Sequence, residues 1–261
     1  MLKIHFLGTC SGTEPMPGMH HCSLVLEVNG ALYWFDAGEN CAHTAYTSGL
    51  DVMKTEALFV SHPHIDHVGG LANLFSCMNK LNNRYRKTLP NNNTLEVFFP
   101  DAALLAAIRT VAVGSASGKM RFQLNEHGLS DGVIFEDRHL RVTARHNRHL
   151  RESGENGWHS FSFLWEAEGR RIVFSGDVKE TCELDELIGD GVDALIMETG
   201  HHKVIDVCRY AASRGVKKLR FNHHGREIIE GRAEAEALTA AFAEEHGMSI
   251  RICHDGMTEE F

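Results

Sequence analysis

Residues 61–70 read Ser-His-Pro-His-Ile-Asp-His-Val-Gly-Gly, and this stretch decides how the rest of the chain is interpreted. Four of its side chains are strong ligands for divalent metals: His62, His64, Asp66 and His67. The apolar segment 57–60 before it predicts a short strand, and Gly69-Gly70 after it allow a tight turn into a helix. Four spaced ligands at the end of a strand predict half of a metal site rather than a solvated loop.

The spacing of these ligands predicts two ions rather than one. On an extended segment His62 and His64 point to the same side, and Pro63 stiffens the link between them. Asp66 and His67 lie on the bend that follows. Two such pairs can hold two neighbouring divalent ions if the rest of the chain supplies the remaining ligands.

Composition and charge narrow the class of protein. The chain has 261 residues, of which 43% are hydrophobic and 23% charged, as expected of a globular protein with a substantial core. The formal net charge of −9 disfavours a general nucleic-acid surface, because phosphate binding depends on clustered Lys and Arg. The seven cysteines are scattered and form no Cys-x-x-Cys pair, which argues against a disulfide framework and against a thiolate zinc module.

The amino-terminal segment predicts a strand rather than a targeting signal. Residues 2–8 alternate between apolar and polar, and they lack the basic start and cleavage site of a secretory signal. No apolar run approaches the roughly 18 to 20 residues that span a bilayer. We therefore expect a cytoplasmic protein with no membrane partner, and a homodimer is left open.

Strands followed by helices recur in both parts of the chain. Strands are predicted at 2–7, 22–28, 31–35, 57–60, 95–99, 120–124, 133–136, 139–145, 159–165, 171–174, 193–197, 217–222 and 249–253. Helices are predicted from Gly69 through Met78 and at 101–112, 203–214 and 233–246, and loops at 13–21, 82–93 and 153–157. With no repeat and no linker, this order predicts a single domain, 1–261, made of two halves.

The metal-binding stretch also carries a family resemblance. The run His62-Pro63-His64-Ile65-Asp66-His67 resembles the His-x-His-x-Asp-His signature of the metallo-β-lactamase superfamily. The resemblance implies an α/β (α+β) fold, a four-layer αββα sandwich built from two ββα halves, with a dinuclear metal site. In that family the Asp of a strand-end Asp-x-Gly supports the site, and Asp36 in Asp36-Ala37-Gly38 matches it.

The resemblance further implies a third His and a bridging Asp in the second half of the chain. Asp177 follows the apolar strand 171–174 and a small turn, and it matches the bridging Asp. For the third His, an ungapped match to the family's Val-Thr-Ala-x-Pro-x-x-His favours His149, with His146 as the alternative.

A last His completes the implied site. His223 stands at the carboxyl end of strand 217–222 and matches it, with His224 as the alternative. One ion would then take His62, His64, His149 and Asp177, and the other Asp66, His67, Asp177 and His223. Zinc is expected because imidazole dominates, although manganese or iron accepts the same donors.

The spacing near the carboxyl end resembles ribonuclease Z and its phosphodiesterase relatives. His201 and His223 are 22 positions apart, as are the His of the family's His-Ser-Thr motif and its last metal ligand. The resemblance makes His201 the acid that protonates the departing oxygen, although His202-Lys203 replaces Ser-Thr, and His202 is the alternative. Arg226 matches the Arg of the family's Leu-x-Leu-Thr-His-x-Ser-x-Arg ending and is a candidate substrate contact.

These residues predict a metal-dependent phosphodiesterase. A hydroxide held between the two ions would attack phosphorus, with Asp66 orienting it. His149 and Asp177 are only 28 positions apart, which leaves no room for the long arm with which classical ribonuclease Z grips transfer RNA. We therefore expect a small, cyclic phosphodiester or a short nucleic acid as the substrate.

Three other functions remain open at this level. A carboxylic ester, lactone or thioester hydrolase would use the same dinuclear site and is the main alternative. A redox protein of the same superfamily would carry iron and need a flavin or haem partner. A non-catalytic subunit is disfavoured because every ligand position has a candidate.

Overall fold

The computed structural model describes residues 1–115, 118–152 and 157–261, and two mixed seven-stranded sheets form its frame. The first sheet contains, in spatial order, β14 (Thr258–Glu260), β1 (Leu2–Gly8), β2 (Ser23–Val28), β3 (Ala31–Ala37), β4 (Thr55–Phe59), β5 (Thr94–Phe98) and β6 (Gln123–His127). The second contains β13 (Ser249–Ile252), β12 (Val216–Asn222), β11 (Val192–Glu198), β10 (Arg170–Phe174), β9 (Phe161–Ala167), β8 (Arg141–His146) and β7 (Gly132–Glu136).

Each sheet joins an antiparallel part to a parallel part. Strands β3 to β6 pair in parallel in the first sheet, and β10 to β13 do so in the second. Strand β8 runs in the same direction as β10, because both are antiparallel to β9. The carboxyl ends of β8, β10, β11 and β12 therefore lie at one edge of their sheet, where the following loops can form a site.

An aromatic core joins the facing surfaces of the two sheets. The ring of Phe35 on β3 lies 4.8 Å from Phe59 on β4 and 4.2 Å from Trp165 on β9. All three side chains are buried. Since burial of large aromatic rings dominates core energetics, this contact fixes the position of one sheet on the other.

Helices cover the outer faces of both sheets through two further apolar clusters. Within the described residues, five helices belong to the first part of the chain: α1 (Cys41–Thr47), α2 (Ile65–Val68), α3 (Leu71–Tyr85), α4 (Pro90–Asn93) and α5 (Ala102–Val113). Four described helices belong to the second part: α6 (Asp185–Ile188), α7 (Val204–Ser213), α8 (Arg226–Glu230) and α9 (Arg232–His246). Short 3₁₀ turns lie at Val52–Lys54 and Thr181–Leu184. The order helix, sheet, sheet, helix confirms the predicted αββα sandwich.

The structure differs from the predicted elements in several places. The segment 82–93 was expected to be a loop, but α3 continues to Tyr85, and only 86–89 is without regular structure. Residues Asn91 and Asn92 in α4 have the left-handed φ that Asn tolerates better than most residues, so this four-residue turn is not a regular right-handed helix. Helix α1 and strand β14 were not predicted, because seven and three residues show no clear periodicity. The predicted loop 153–157 lies outside the described residues except for Gly157.

Among the described residues, no helix is both long enough and apolar enough to cross a bilayer. The cytoplasmic location, the homodimer and the single domain 1–261 stay predictions.

Candidate metal centre

Four ligand atoms converge on one point beyond the end of β4. His64 Nδ1 lies 3.0 Å from His62 Nε2 and 3.3 Å from His149 Nε2. Asp177 Oδ2 lies 3.9 Å from His62 Nε2 and 3.8 Å from His149 Nε2. Three imidazole nitrogens and one carboxylate oxygen thus surround a space that suits a tetrahedral divalent ion.

A second cluster adjoins the first and shares Asp177 with it. Asp66 Oδ2 lies 3.3 Å from His67 Nε2 and 3.1 Å from His223 Nε2. Asp177 Oδ1 lies 3.5 Å from His67 Nε2 and 3.4 Å from His223 Nδ1. The two oxygens of Asp177 therefore face different clusters, and this carboxylate bridges them.

Buried polar atoms without partners test whether the clusters fit metal ions. Among the described residues, His67 Nε2, Asp177 Oδ1 and His223 Nδ1 are buried and accept or donate no hydrogen bond. Such atoms are rare in folded proteins because each costs the desolvation of a polar group. Divalent ions would satisfy them, and the mixed nitrogen and carboxylate donors are those that such ions accept. The residues present fit divalent metal use.

Asp36 fixes the orientation of His67 from behind the second cluster. Its carboxylate accepts hydrogen bonds from the Ser61 backbone N–H at 2.7 Å, the Ser61 hydroxyl at 2.8 Å and His67 Nδ1 at 2.7 Å. Burial acts to lower the pKa of His67, but Asp36 and Asp177 outweigh it and raise that pKa well above its usual value. With Nδ1 held by Asp36, the Nε2 atom faces the cluster.

Glu198 orients His201 in the second half of the chain, as Asp36 orients His67 in the first. From the sequence, no role was assigned to Glu198. It ends β11 and is 1% exposed, and its carboxylate accepts the His201 backbone N–H at 2.8 Å and His201 Nδ1 at 3.2 Å. The hydrogen bond that His201 Nδ1 donates to Glu198 raises the pKa of His201 above its ordinary value. His201 Nδ1 also lies 3.7 Å from Asp177 Oδ2, so this dyad borders the metal clusters. The sequence feature that could have identified Glu198 is a charged residue at the end of an apolar strand.

The structure places His202 differently from its neighbour. His202 Nε2 donates to the Val178 carbonyl at 3.0 Å and lies 3.4 Å from Glu198. The ring of His201, in contrast, lies 4.9 Å from that of His149 and 6.0 Å from that of His223.

The two alternative ligands, His146 and His224, are engaged elsewhere. His146 Nδ1 lies 2.7 Å from Asp131, and its ring stacks on Trp158 at 4.4 Å. His224 Nε2 donates to the Cys253 carbonyl at 2.9 Å, and burial lowers the pKa of His224 to about 4. The structure therefore brings His149 and His223 into the clusters.

Two glycines let the backbone approach the ligands closely. A Cβ on Gly12 would lie 2.8 Å from Asp66 Oδ2, and one on Gly200 would lie 2.8 Å from His223 Nδ1. Loop 9–21 and the loop after β11 thus pack directly against the second cluster. Arg226, the candidate substrate contact, begins α8 and pairs with Glu14 of loop 9–21.

Comparison with known proteins agrees with this geometry. The profile of the family described as "Anti-Pycsar protein Apyc1" matches residues 2–203. Ribonuclease Z from Shouchella clausii (strain KSM-K16) is 26% identical over an alignment 300 positions long, which covers 91% of this chain and 92% of that protein.

Two solved structures share the fold. YhfI from Bacillus subtilis, a metallo-β-lactamase fold protein, superposes with a TM-score of 0.74 at 13% identity and covers 100% of this chain and 99% of its own. The short form of human tRNase Z (ELAC1) superposes with a TM-score of 0.72 at 18% identity, covering 99% and 98%. The fold is that of the metallo-β-lactamase superfamily.

Proposed function

The chain belongs to the family of the anti-Pycsar protein Apyc1, and from this premise we propose that it hydrolyses a small, cyclic phosphodiester or a short nucleic acid. It is a metal-dependent hydrolase of the ribonuclease Z-like branch. One observation carries the proposal: two clusters of metal ligands share Asp177, and the His201–Glu198 dyad borders them.

The proposed centre holds two divalent ions. One is assigned to His62, His64, His149 and Asp177, and the other to Asp66, His67, Asp177 and His223. We propose zinc because imidazole nitrogens dominate both sets, while manganese and iron accept the same donors. When bound, two adjacent cations supply Lewis-acid polarisation of a phosphoryl oxygen and lower the pKa of water.

The chain's own residues then orient the attack and supply the proton. Asp66 orients the attacking hydroxide, which forms when water releases a proton to solvent, and the hydroxide oxygen forms the new bond to phosphorus. As the bond from phosphorus to the leaving alkoxide breaks, His201 gives that oxygen its proton. Glu198 holds His201 Nδ1, which leaves Nε2 as the atom that donates, and the raised pKa of His201 keeps the donor protonated to higher pH.

The chain's dimensions support a small substrate rather than a folded RNA. The 28 positions from His149 to Asp177 include strands β9 and β10, which leaves no room for a projecting arm. The net charge of −9 opposes a long nucleic-acid interface. Hydrolysis of a carboxylic ester, lactone or thioester is not favoured, because the relative from Shouchella clausii is a ribonuclease.

The test compares zinc-loaded wild type with Asp66→Ala. Bis-p-nitrophenyl phosphate, a panel of cyclic nucleotides and a lactone serve as substrates, and metal content is measured by mass spectrometry. We expect phosphodiester hydrolysis by the wild type and a loss of about 10³-fold in Asp66→Ala. His146→Ala is the matched control, since its ring is engaged by Asp131 outside the clusters.

Equal rates in Asp66→Ala and the wild type would refute the assignment of Asp66. Faster hydrolysis of the lactone than of every phosphodiester would refute the proposed substrate class.

A further inference from the structure

An ion pair joins two segments that flank the metal clusters. Arg226 Nη2 donates to Glu14 Oε2 at 2.5 Å, although the two residues are 212 positions apart. Within α8 the same guanidinium reaches Glu230 more loosely, at 3.5 Å. The carboxylate of Glu14 is thus the main partner of the arginine in the free protein.

Both ends of this ion pair start from backbone that touches the second cluster. Glu14 follows Gly12, whose Cβ position lies 2.8 Å from Asp66 Oδ2. Arg226 follows Gly225, whose Cβ position lies 2.4 Å from the Thr199 carbonyl oxygen, next to Gly200. The backbone before Glu14 therefore lies beside Asp66, and the backbone before Arg226 lies beside the loop after β11 that carries His201.

The base of loop 9–21 is fixed, whereas Glu14 is not. Asp255 accepts hydrogen bonds from the backbone and hydroxyl of Thr9 and from the backbone and ring of His20, all between 2.7 and 2.9 Å. Glu14 lies between these anchored residues, and its side chain is 64% exposed. Among the described residues, the Glu14 carboxylate is held by this exposed ion pair and by a hydrogen bond from its own backbone N–H, and exposed ion pairs are weak in water.

A phosphate group can replace this carboxylate, because the contact with Glu14 is a single hydrogen bond whereas a phosphate can accept two from one guanidinium. The guanidinium binds phosphate oxygens through two parallel hydrogen bonds, and the clusters would hold the same anion from its other side. We propose that Glu14 is a specificity-determining residue that occupies Arg226 in the free protein and is exchanged for a phosphate oxygen of the substrate. This inference rests on the proposed function, and it limits productive substrates to anions that can replace Glu14.

The exchange is tested by titrating inorganic phosphate into zinc-loaded protein in a calorimeter. Glu14→Gln removes the competing charge, so phosphate binding should tighten about 3- to 10-fold. Glu230→Gln is the matched control: it neutralises a carboxylate on the same arginine, but within α8, and should change phosphate binding less than about 2-fold. Arg226→Gln should weaken phosphate binding and abolish the effect of Glu14→Gln in the double variant.

Kinetics of the same variants separate this inference from the proposed function. With a phosphodiester substrate, Glu14→Gln should lower KM by the same factor and leave kcat unchanged. Unchanged phosphate affinity in Glu14→Gln, with normal metal content and thermal stability, would overturn the exchange even if the wild type cleaves phosphodiesters. An inactive zinc-loaded wild type would overturn the proposed function, while the phosphate titration would still decide the role of Glu14.

Discussion

The two halves of the metal centre are built in different ways. The first half comes from one stretch, 61–70, in which four ligands follow a single strand. The second half consists of His149, Asp177 and His223, which follow β8, β10 and β12. Local backbone geometry fixes the first half, whereas the second exists only when the second sheet has formed. The arrangement of the second half therefore depends on tertiary structure, whereas local sequence sets the arrangement of the first.

The supporting carboxylates repeat this difference. Asp36 binds Ser61 and His67, which lie within the same stretch as the ligands. Glu198 ends a strand of its own and supports His201, which has no counterpart in the first half. The first half thus supplies candidate metal ligands, among them Asp66, which is also proposed to orient the attack, while the second half also supplies the proposed acid.

Asp177→Ala should have the largest effect, because Asp177 is the residue assigned to both ions. We expect the loss of both ions and a decrease in kcat/KM of at least about 10³-fold. His149→Ala, which removes a ligand from one cluster, should lose one ion. Metal-to-protein ratios and bis-p-nitrophenyl phosphate kinetics measure both variants. If Asp177→Ala retained two ions, the Asp177 carboxylate would not be a ligand that the two ions share.

Glu198→Gln should separate the acid from the metal centre. The Glu198 carboxylate raises the pKa of His201, so its removal should shift the basic limb of the pH profile to lower pH. We expect kcat to fall by about 10²-fold with unchanged metal content. His202→Ala is the control, since that ring donates to the Val178 carbonyl and should matter less.

An unshifted pH profile in Glu198→Gln would contradict the role of His201 as the acid. A larger loss in His202→Ala than in His201→Ala would assign that role to His202 instead.

The same difference explains what the sequence could predict. The stretch 61–70 predicted its own candidate ligands, because their spacing and the preceding strand are local features. The choice between His149 and His146 depended on the spacing of the family motif. His146 instead contacts Asp131, and no local sequence pattern predicts that contact. Glu198 was missed because its role depends on how the loop after β11 folds back onto it.

Asp36→Asn tests the support of the first half. The amide keeps the shape of the carboxylate, but its NH₂ group donates. Only its single oxygen can therefore accept the hydrogen bonds from Ser61 and His67. We expect metal affinity to fall by about 10- to 100-fold, measured by competition with a chelator. Ser61→Ala removes one of the three hydrogen bonds to Asp36 and should have a smaller effect. Unchanged affinity in Asp36→Asn would mean that His67 is held by other contacts.

The smallest expected effect comes from changing His224, the neighbour of His223, and it concerns the free energy of unfolding alone. Burial lowers the pKa of His224 to about 4 from its ordinary value of 6.5. A histidine whose folded pKa is lowered contributes fully above pH 6.5, and this contribution is lost as the pH falls toward 4, because the unfolded chain binds the proton first. The loss amounts to roughly 3 kcal/mol at most.

In His224→Gln the side-chain amide can still donate to the Cys253 carbonyl, but it does not titrate. Urea unfolding of metal-free wild type and variant at pH 7 and pH 4.5 should therefore show a smaller acid loss of unfolding free energy in the variant. The other titrating groups are common to both proteins, so the difference isolates His224. Equal losses would mean that His224 is not held neutral in the core, and the distinct environments of the two neighbouring histidines would then need another explanation.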